Sequence, residues 1–257
     1  MCATCGCGSD ETKMTLLDHD HDHDHEHPHP HPHDDARTQD RTHTLELEVA
    51  VLAKNDELAA RNRAWLAERR ITALNLMSSP GAGKTTLLER TIAELDRPVS
   101  VIEGDQETLF DAERIRNAGA RAVQVNTGAG CHLDAAMVGR ALEELQPDEG
   151  SVVFIENVGN LVCPALFDLG ELCKVVVISV TEGDDKPLKY PHMFAAADLI
   201  VLNKTDLLPY VEFDPARLAA DARKLNPGIE VLPLSAKTGE HLDTWRTWLD
   251  TLGPVIR

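Results

Sequence analysis

The run Ser78-Ser79-Pro80-Gly81-Ala82-Gly83-Lys84-Thr85-Thr86 combines small residues, one lysine and hydroxyls in an order suited to binding phosphate. Gly81, Ala82 and Gly83 leave room for backbone N–H groups to wrap a polyphosphate. Lys84 would reach the β- and γ-phosphates, and the Thr85 hydroxyl would coordinate Mg²⁺. A helix starting near Thr85-Thr86 would aim free N–H groups and its positive dipole end at the same anion. The apolar stretch 71–77 before the loop has strand length, so strand, loop and helix follow in the order a phosphate loop requires. The usual pattern G-x-x-x-x-G-K-S/T opens with glycine, and here that place is Ser78.

A second set of residues reads the base. Asn203-Lys204-Thr205-Asp206 follows the apolar Leu199-Ile200-Val201-Leu202 and resembles the guanine-recognition motif N-K-x-D of GTPases. Asp206 would accept both N1–H and the 2-amino group of guanine, a pattern adenine lacks, and such buried hydrogen bonds are strongly selective. Asn203 would brace the site, and the Lys204 stem would cover the base. Ser235-Ala236-Lys237 resembles the loop that adds backbone contacts to guanine. GTP is therefore expected over ATP. Glu156-Asn157-Val158-Gly159 closes an apolar strand where GTPases carry D-x-x-G. Gly159 would offer its N–H to the γ-phosphate, while Glu156 would reach Mg²⁺ through water or position the attacking water. Asp105 is a second candidate Mg²⁺ ligand, although Asp105 and Glu103 equally suit a loop or helix N-cap. Lys84, Thr85, Asp105 and Glu156 are thus the candidate catalytic residues. No glutamine occupies an obvious water-orienting position, so slow intrinsic hydrolysis is expected.

Two further groups have metal-ligand chemistry. Cys2, Cys5 and Cys7 place three thiols in the first residues, and with the α-amine they suit Ni²⁺ in a planar site or Zn²⁺ in a tetrahedral one. Eight histidines between His19 and His33 alternate with carboxylates and then prolines, a pattern for many weak, exchanging sites that buffer or store metal. Farther on, Gly130-Cys131-His132-Leu133-Asp134 and Cys163-Pro164 each follow a strand. In a doubly wound sheet both emerge on the phosphate side, so Cys131, His132 and Cys163 would converge on one ion. Three ligands leave a tetrahedral ion incomplete, and a twofold dimer would supply the rest. Cys173, just before a buried strand, reads as structural.

The elements that must position these groups follow from hydrophobic periodicity. From residue 71 onward, candidate strands at 71–77, 98–102, 120–125, 151–156, 174–180, 198–202 and 229–234 alternate with helices near 86–95, 107–118, 133–145, 214–225 and 239–251. Continuous apolar runs such as Val175-Val176-Val177-Ile178 suit strands buried on both faces. The expected fold is α/β, a doubly wound and mostly parallel sheet with helices on both sides. Residues 1–43 cannot build a core and are expected to be a disordered metal-binding tail, with 44–257 as the nucleotide domain. Within it 44–70 reads as helical, with Leu45, Val49, Leu52, Leu58, Trp65 and Leu66 on one face and a possible second helix start at Asn55-Asp56. Whether that face packs on the sheet or on a partner stays open.

With 257 residues, one large domain can bury a substantial core. The formal net charge of −18 argues against a broad nucleic-acid surface. No apolar stretch reaches the ~18 residues of a membrane span. The N-terminus lacks an apolar signal core, so a cytoplasmic protein with six reduced cysteines is expected.

Together these motifs resemble the HypB family, the SIMIBI-class nickel-insertion GTPases of NiFe-hydrogenase maturation, and more distantly the urease-maturation GTPases. The resemblance spans nearly the whole chain and rests on Met-Cys-x-x-Cys-Gly-Cys, the His-rich stretch, the 78–86 loop, Gly-Cys-His-Leu-Asp, Glu-Asn-Val-Gly-Asn-Leu-Val-Cys-Pro and Asn-Lys-Thr-Asp. The family shares Ser78 and Glu156. It implies a high-affinity nickel site at Cys2, Cys5 and Cys7 and a zinc or nickel site at Cys131, His132 and Cys163. It also implies homodimerisation on GTP, and work with a hydrogenase maturation partner and the hydrogenase large subunit. The alternatives are a nickel or zinc storage protein with a nucleotide-dependent dimerisation scaffold, and a urease-type maturation GTPase.

Overall fold

A computed structural model describes residues 34–105, 110–128 and 130–253. The first helix, α1, runs Asp34–Glu68. The chain divides between Ala53 and Lys54 into two compact units. In the larger unit, from Lys54 onward, the strands β1 (Thr72–Ser78), β2 (Val99–Asp105), β3 (Arg121–Asn126), β4 (Val152–Glu156), β5 (Cys173–Ser179), β6 (Leu199–Asn203) and β7 (Glu230–Pro233) form one sheet. Every pairing is parallel, in the order β3-β2-β4-β1-β5-β6-β7. Parallel pairing requires crossovers, and helices α2 (Lys84–Glu94), α3 (Phe110–Asn117), α4 (Ala135–Leu145), α5 (Lys186–Lys189), α6 (Pro191–Ala196), α7 (Pro215–Leu225) and α8 (Leu242–Thr251) supply or accompany them. The doubly wound α/β reading holds, and the sheet is wholly parallel.

The apolar strand runs face both ways because successive side chains alternate across the sheet. Val152 and Phe154 join Leu87, Leu88, Ile115, Trp245 and Leu249 on the face covered by α2, α3 and α8. Val153 and Ile155 point oppositely, into a cluster with Leu66 of α1, Leu133 of the loop before α4, and Val138 and Leu142 of α4. A third cluster seats Met193, Phe194, Leu218 and Ala222 against Val176, Ile178, Ile200 and Leu202.

α1 differs from its sequence expectation in two ways. It begins at Asp34, within the stretch expected to be tail, and it passes through Asn55-Asp56 without a break. Asn55 does not start a second helix. It is buried with Ala59, Asn62 and Leu66 on one face at helical spacing, and Leu66 places that face on the sheet. Two amides thus sit in a stripe otherwise apolar, and both are hydrogen-bonded across the fold. Among the described residues, no helix is long and apolar enough to cross a membrane.

Phe154 lies fully buried on the central strand β4. Phe154→Ala should lower stability by about 3–5 kcal/mol, read as a lower urea midpoint with unchanged slope.

Candidate functional site

Parallel strands send all their carboxyl ends to one edge, and β1 lies where the crossovers change direction, between β4 and β5. A cleft of about 560 Å³ opens there, lined by the loop 80–86, by Glu103, Gly104 and Asp105, by residues 156–159, by Asp111, Arg114 and Lys204. Such a crevice is where open α/β sheets bind ligands.

The loop between β1 and α2 is held by side chains on three sides. Gly83 has φ 98°, and a Cβ there would come within 2.5 Å of Asn203 Nδ2. Only glycine meets both demands. Asn203 Nδ2 donates to the Ala82 carbonyl at 2.9 Å, and Lys204 Nζ donates to the Gly81 carbonyl at 2.7 Å. Glu182 accepts from the Ser79 hydroxyl and, at 3.0 Å, from the Ser179 N–H. Lys84, buried in the cleft, donates to Ser78 Oγ at 2.7 Å. The residue that departs from the usual glycine therefore supplies an acceptor for the phosphate-loop lysine. Burial pulls the Lys84 pKa down, against the pull of Glu156, Asp111 and Glu182.

The residues expected to read the base meet as well. Asn203 Oδ1 accepts from the N–H groups of Lys204 and Ala236, and Asp206 Oδ1 accepts from Ser235 Oγ at 2.6 Å. Ser235 and Ala236 thus brace the N-K-x-D turn, while Lys237 is exposed beside them.

The end of β2 supplies the residue that sequence reasoning undervalued. Glu103 pairs in register with Glu156 across β2 and β4, so two carboxyls stand side by side. Both are buried, and each leaves one Oε2 without a hydrogen bond. Glu156 Oε1 accepts from Thr85 Oγ1 at 2.8 Å. Burial, then repulsion from Glu156, Asp111 and Asp105, pushes the Glu103 carboxyl up to about 8. Burial also raises Glu156, opposed by Lys84 and the Thr85 hydroxyl. Asp105 lines the same cleft.

The cleft carries four acidic side chains, with Glu103 held protonated at neutral pH, against three cationic ones, so an entering polyphosphate leaves an excess of negative charge and needs a cation with it. Thr85, Asp105 and Glu156, with the unpartnered oxygens of Glu103 and Glu156, are hard oxygen donors that fit Mg²⁺. Arg114 also faces the cleft, its guanidinium held by Glu89, Asp111 and the Thr86 hydroxyl.

Beside the cleft lies a thiol-imidazole cluster. β3 and β4 flank β2, so the loops after them emerge as neighbours. Cys131, His132 and Cys163 offer ligand atoms all within 4.8 Å of one another. Cys131 Sγ lies 2.8 Å from Cys163 Sγ and 3.6 Å from His132 Nδ1. The His132 ring stacks on Phe167 at 4.0 Å, and burial lowers its pKa, which favours the neutral imidazole a metal requires. Asn160 Nδ2 donates to the Cys131 carbonyl, and Asp134 caps α4 through the Met137 N–H. Cys173 is apart from this group. Burial pushes its thiol up to about 11, a protonated group at neutral pH. Cys2, Cys5, Cys7 and the histidine tract lie outside the described residues.

Phe167 and Arg114 carry no motif that marks them in the sequence. Asn75, a lone amide inside the apolar run Ala73-Leu74-Asn75-Leu76-Met77, was a signal that sequence reasoning passed over.

Comparison with known proteins agrees with this geometry. Residues 72–233 match the family model described as CobW/HypB/UreG, nucleotide-binding domain. The chain is 60% identical over 209 residues to the hydrogenase maturation factor HypB of Escherichia coli K12, covering 80% of this chain and 72% of that one. It is 47% identical over 201 residues to the probable hydrogenase maturation factor HypB of Methanocaldococcus jannaschii, covering 77% and 91%. The crystal structure of HypB from Archaeoglobus fulgidus superposes with a TM-score of 0.73 at 41% identity, covering 78% and 99%. That of HypB from Helicobacter pylori in complex with nickel does so at 0.73 and 39%, covering 77% and 94%.

The Glu103 carboxyl gives a pH signature without Mg²⁺ or nucleotide. Its folded pKa of about 8 exceeds the reference 4.5, so its contribution to stability is intact below pH 4.5 and is lost as pH rises towards 8. Glu103→Gln, which cannot ionise, should unfold at a progressively higher temperature than the parent as pH rises from 5 to 8. Parallel melting profiles over that range would contradict it.

Proposed function

This chain belongs to the HypB branch of the CobW/HypB/UreG family, and from that premise we propose that it is a GTP-hydrolysing nickel metallochaperone. It would promote insertion of nickel into the NiFe-hydrogenase active site during maturation. The observation that carries the reading is the juxtaposition of a phosphate-loop cleft and a Cys131-His132-Cys163 cluster at the ends of adjacent strands. The HypB structure from Helicobacter pylori was solved in complex with nickel, which supports nickel as cargo.

In this reading Gly81, Ala82, Gly83 and the amino end of α2 cradle the phosphates, and Lys84 leaves Ser78 for the β- and γ-phosphates. Asp206 reads guanine while Asn203 holds the phosphate loop and the base loop together. Gly159 presents its N–H to the γ-phosphate. Mg²⁺ bound by Thr85 and Asp105 would neutralise charge that develops on the phosphates. Glu156 orients the attacking water. Among the described residues no glutamine lines the cleft, and slow hydrolysis, as befits a switch, goes with that.

Nickel held by Cys2, Cys5 and Cys7 would be the tightly bound cargo. Cys131, His132 and Cys163 take nickel or zinc in a softer, three-ligand site that a GTP-induced homodimer completes. The partners are a second maturation protein and the hydrogenase large subunit, in the cytoplasm, with neither nucleic acid nor membrane involved. A related protein of Helicobacter pylori, 41% identical, is named a hydrogenase/urease maturation factor, which keeps urease as a second recipient. Hydrogenase and urease activities measured side by side in a deletion strain separate the two.

Lys84→Ala should slow GTP hydrolysis by about 10²–10³-fold and stop nickel delivery to hydrogenase in cells. Delivery at the parent's level with that variant would identify a storage protein built on a nucleotide-binding scaffold.

A further inference from the structure

The nucleotide motif 156–159 and the two segments that carry Cys131, His132 and Cys163 are joined by a row of buried polar side chains, two amides and a carboxyl. Asn157, directly after Glu156, accepts the Leu133 N–H at 3.1 Å through Oδ1, and Leu133 follows His132. The same Oδ1 accepts the N–H of Val158 at 3.0 Å. On its other side, Asn157 Nδ2 donates to Asn75 Oδ1 at 3.3 Å, and Asn75 Nδ2 donates to Glu171 Oε1 at 3.2 Å. Glu171 Oε2 accepts the Leu169 N–H at 2.7 Å. Asn157, Asn75 and Glu171 are all buried. The row thus begins at the Cys131-His132 loop, crosses β4 and β1, and ends on the segment downstream of Cys163.

A second tie fixes the two metal-bearing segments to each other without touching the nucleotide motif. Asn55 accepts from the Ala135 N–H and donates to the Asp168 carbonyl. Asn62 donates to the carbonyls of Ala135 and Leu169. Each of these two amides of α1 therefore bridges the same two segments. This clip sets how far apart the ligands stand, whereas Asn157 binds one of these segments to the turn that faces phosphate.

Resting on the reading of a nucleotide-driven nickel carrier, we propose that Asn157 is the positioning residue through which nucleotide state reaches the Cys131-His132-Cys163 site. One oxygen, Oδ1, serves donors from both sites, so a change on one side alters the geometry offered to the other. The turn it accepts from is closely confined. A Cβ on Gly159 would lie 3.0 Å from Pro80 Cα of the phosphate loop, so this turn packs directly against that loop. A γ-phosphate that draws the Gly159 N–H must carry the Val158 N–H with it. Oδ1 then follows or lets go, and Leu133, next to the His132 ligand, shifts. Loss of a buried acceptor is costly, so the two arrangements are discrete. Coupling of this kind is a difference in metal affinity between two nucleotide states.

The test is nickel affinity in the full-length chain, with Cys2, Cys5 and Cys7 changed to serine to remove the tail's thiol site, measured against a competing chelator strong enough to strip the weak histidine sites. The protein is loaded with GDP or with a non-hydrolysable GTP analogue. In this background the two affinities should differ about fivefold or more. Asn157→Ala, compared at concentrations of each nucleotide shown by titration to saturate that variant, should bring them within about twofold. Asn62→Ala should weaken nickel by about tenfold in both states and keep their ratio, as expected for support of the ligands alone. Equal affinities in the background itself would overturn the nucleotide-driven reading and the proposal with it. A ratio that survives Asn157→Ala would overturn only the role of Asn157. Hydrogen exchange at the Leu133 amide of the unsubstituted protein decides the matter even if that variant fails to fold. Different protection with GDP and the analogue is expected, and identical protection would overturn the proposal.

Discussion

A polar side chain sealed inside a parallel sheet must find a partner there, and this fold places several at the carboxyl ends of its central strands. Asn75, Glu103, Glu156, Asn157 and Glu171 are all buried; Glu103, Glu156 and Asn157 line the cleft, Asn75 sits within β1, and Glu171 precedes β5. Asn75, Asn157 and Glu171 satisfy one another. Glu103 and Glu156 do not, and each keeps an oxygen unpartnered. The two amides and Glu171 make a rigid floor, while Glu103 and Glu156 make a site that draws in a cation. The division between support and chemistry follows from which polar groups find partners within the protein.

The same edge explains why two kinds of site occur together. Strands β3 and β4 flank β2, so their loops converge above Glu103 and Asp105. One loop brings Cys131 and His132, and the other brings Cys163 after the turn at 156–159. The thiol-imidazole cluster and the cleft therefore draw on one continuous segment, 156–163, so a movement of that segment reaches both. Neighbouring sites with a common wall do not require a long pathway for coupling.

Much of this was legible in the sequence for physical reasons. Strands buried on both faces read as unbroken apolar runs, so β4, β5 and β6 fall within a residue or so of their expected bounds. The phosphate loop, the N-K-x-D turn and the Cys-His pair were legible because each needs particular residue types at fixed spacing. What escaped was non-local. The partners of Asn55, Asn62, Asn75 and Asn157 lie far away in sequence, and an isolated asparagine looks like a capping or turn residue. Asn55-Asp56 therefore suggested a helix start, whereas the long helix α1 carries Asn55 on its buried face. Glu103 resembled a cap for the same reason, and only its register opposite Glu156 reveals two carboxyls facing one cleft. The short helices α5 and α6 are absent from the expected elements because four and six residues are too few to show a helical period.

The central claim is that the metal cluster and the nucleotide cleft are thermodynamically linked, and linkage must be reciprocal. The most direct measurement is the affinity of the full-length protein for a non-hydrolysable GTP analogue and for GDP, with and without saturating nickel. The account predicts that nickel changes the preference between the two nucleotides and that Cys163→Ala abolishes the change. An unchanged preference in the parent protein would contradict it, and the cleft and the cluster would then be neighbours without a common function.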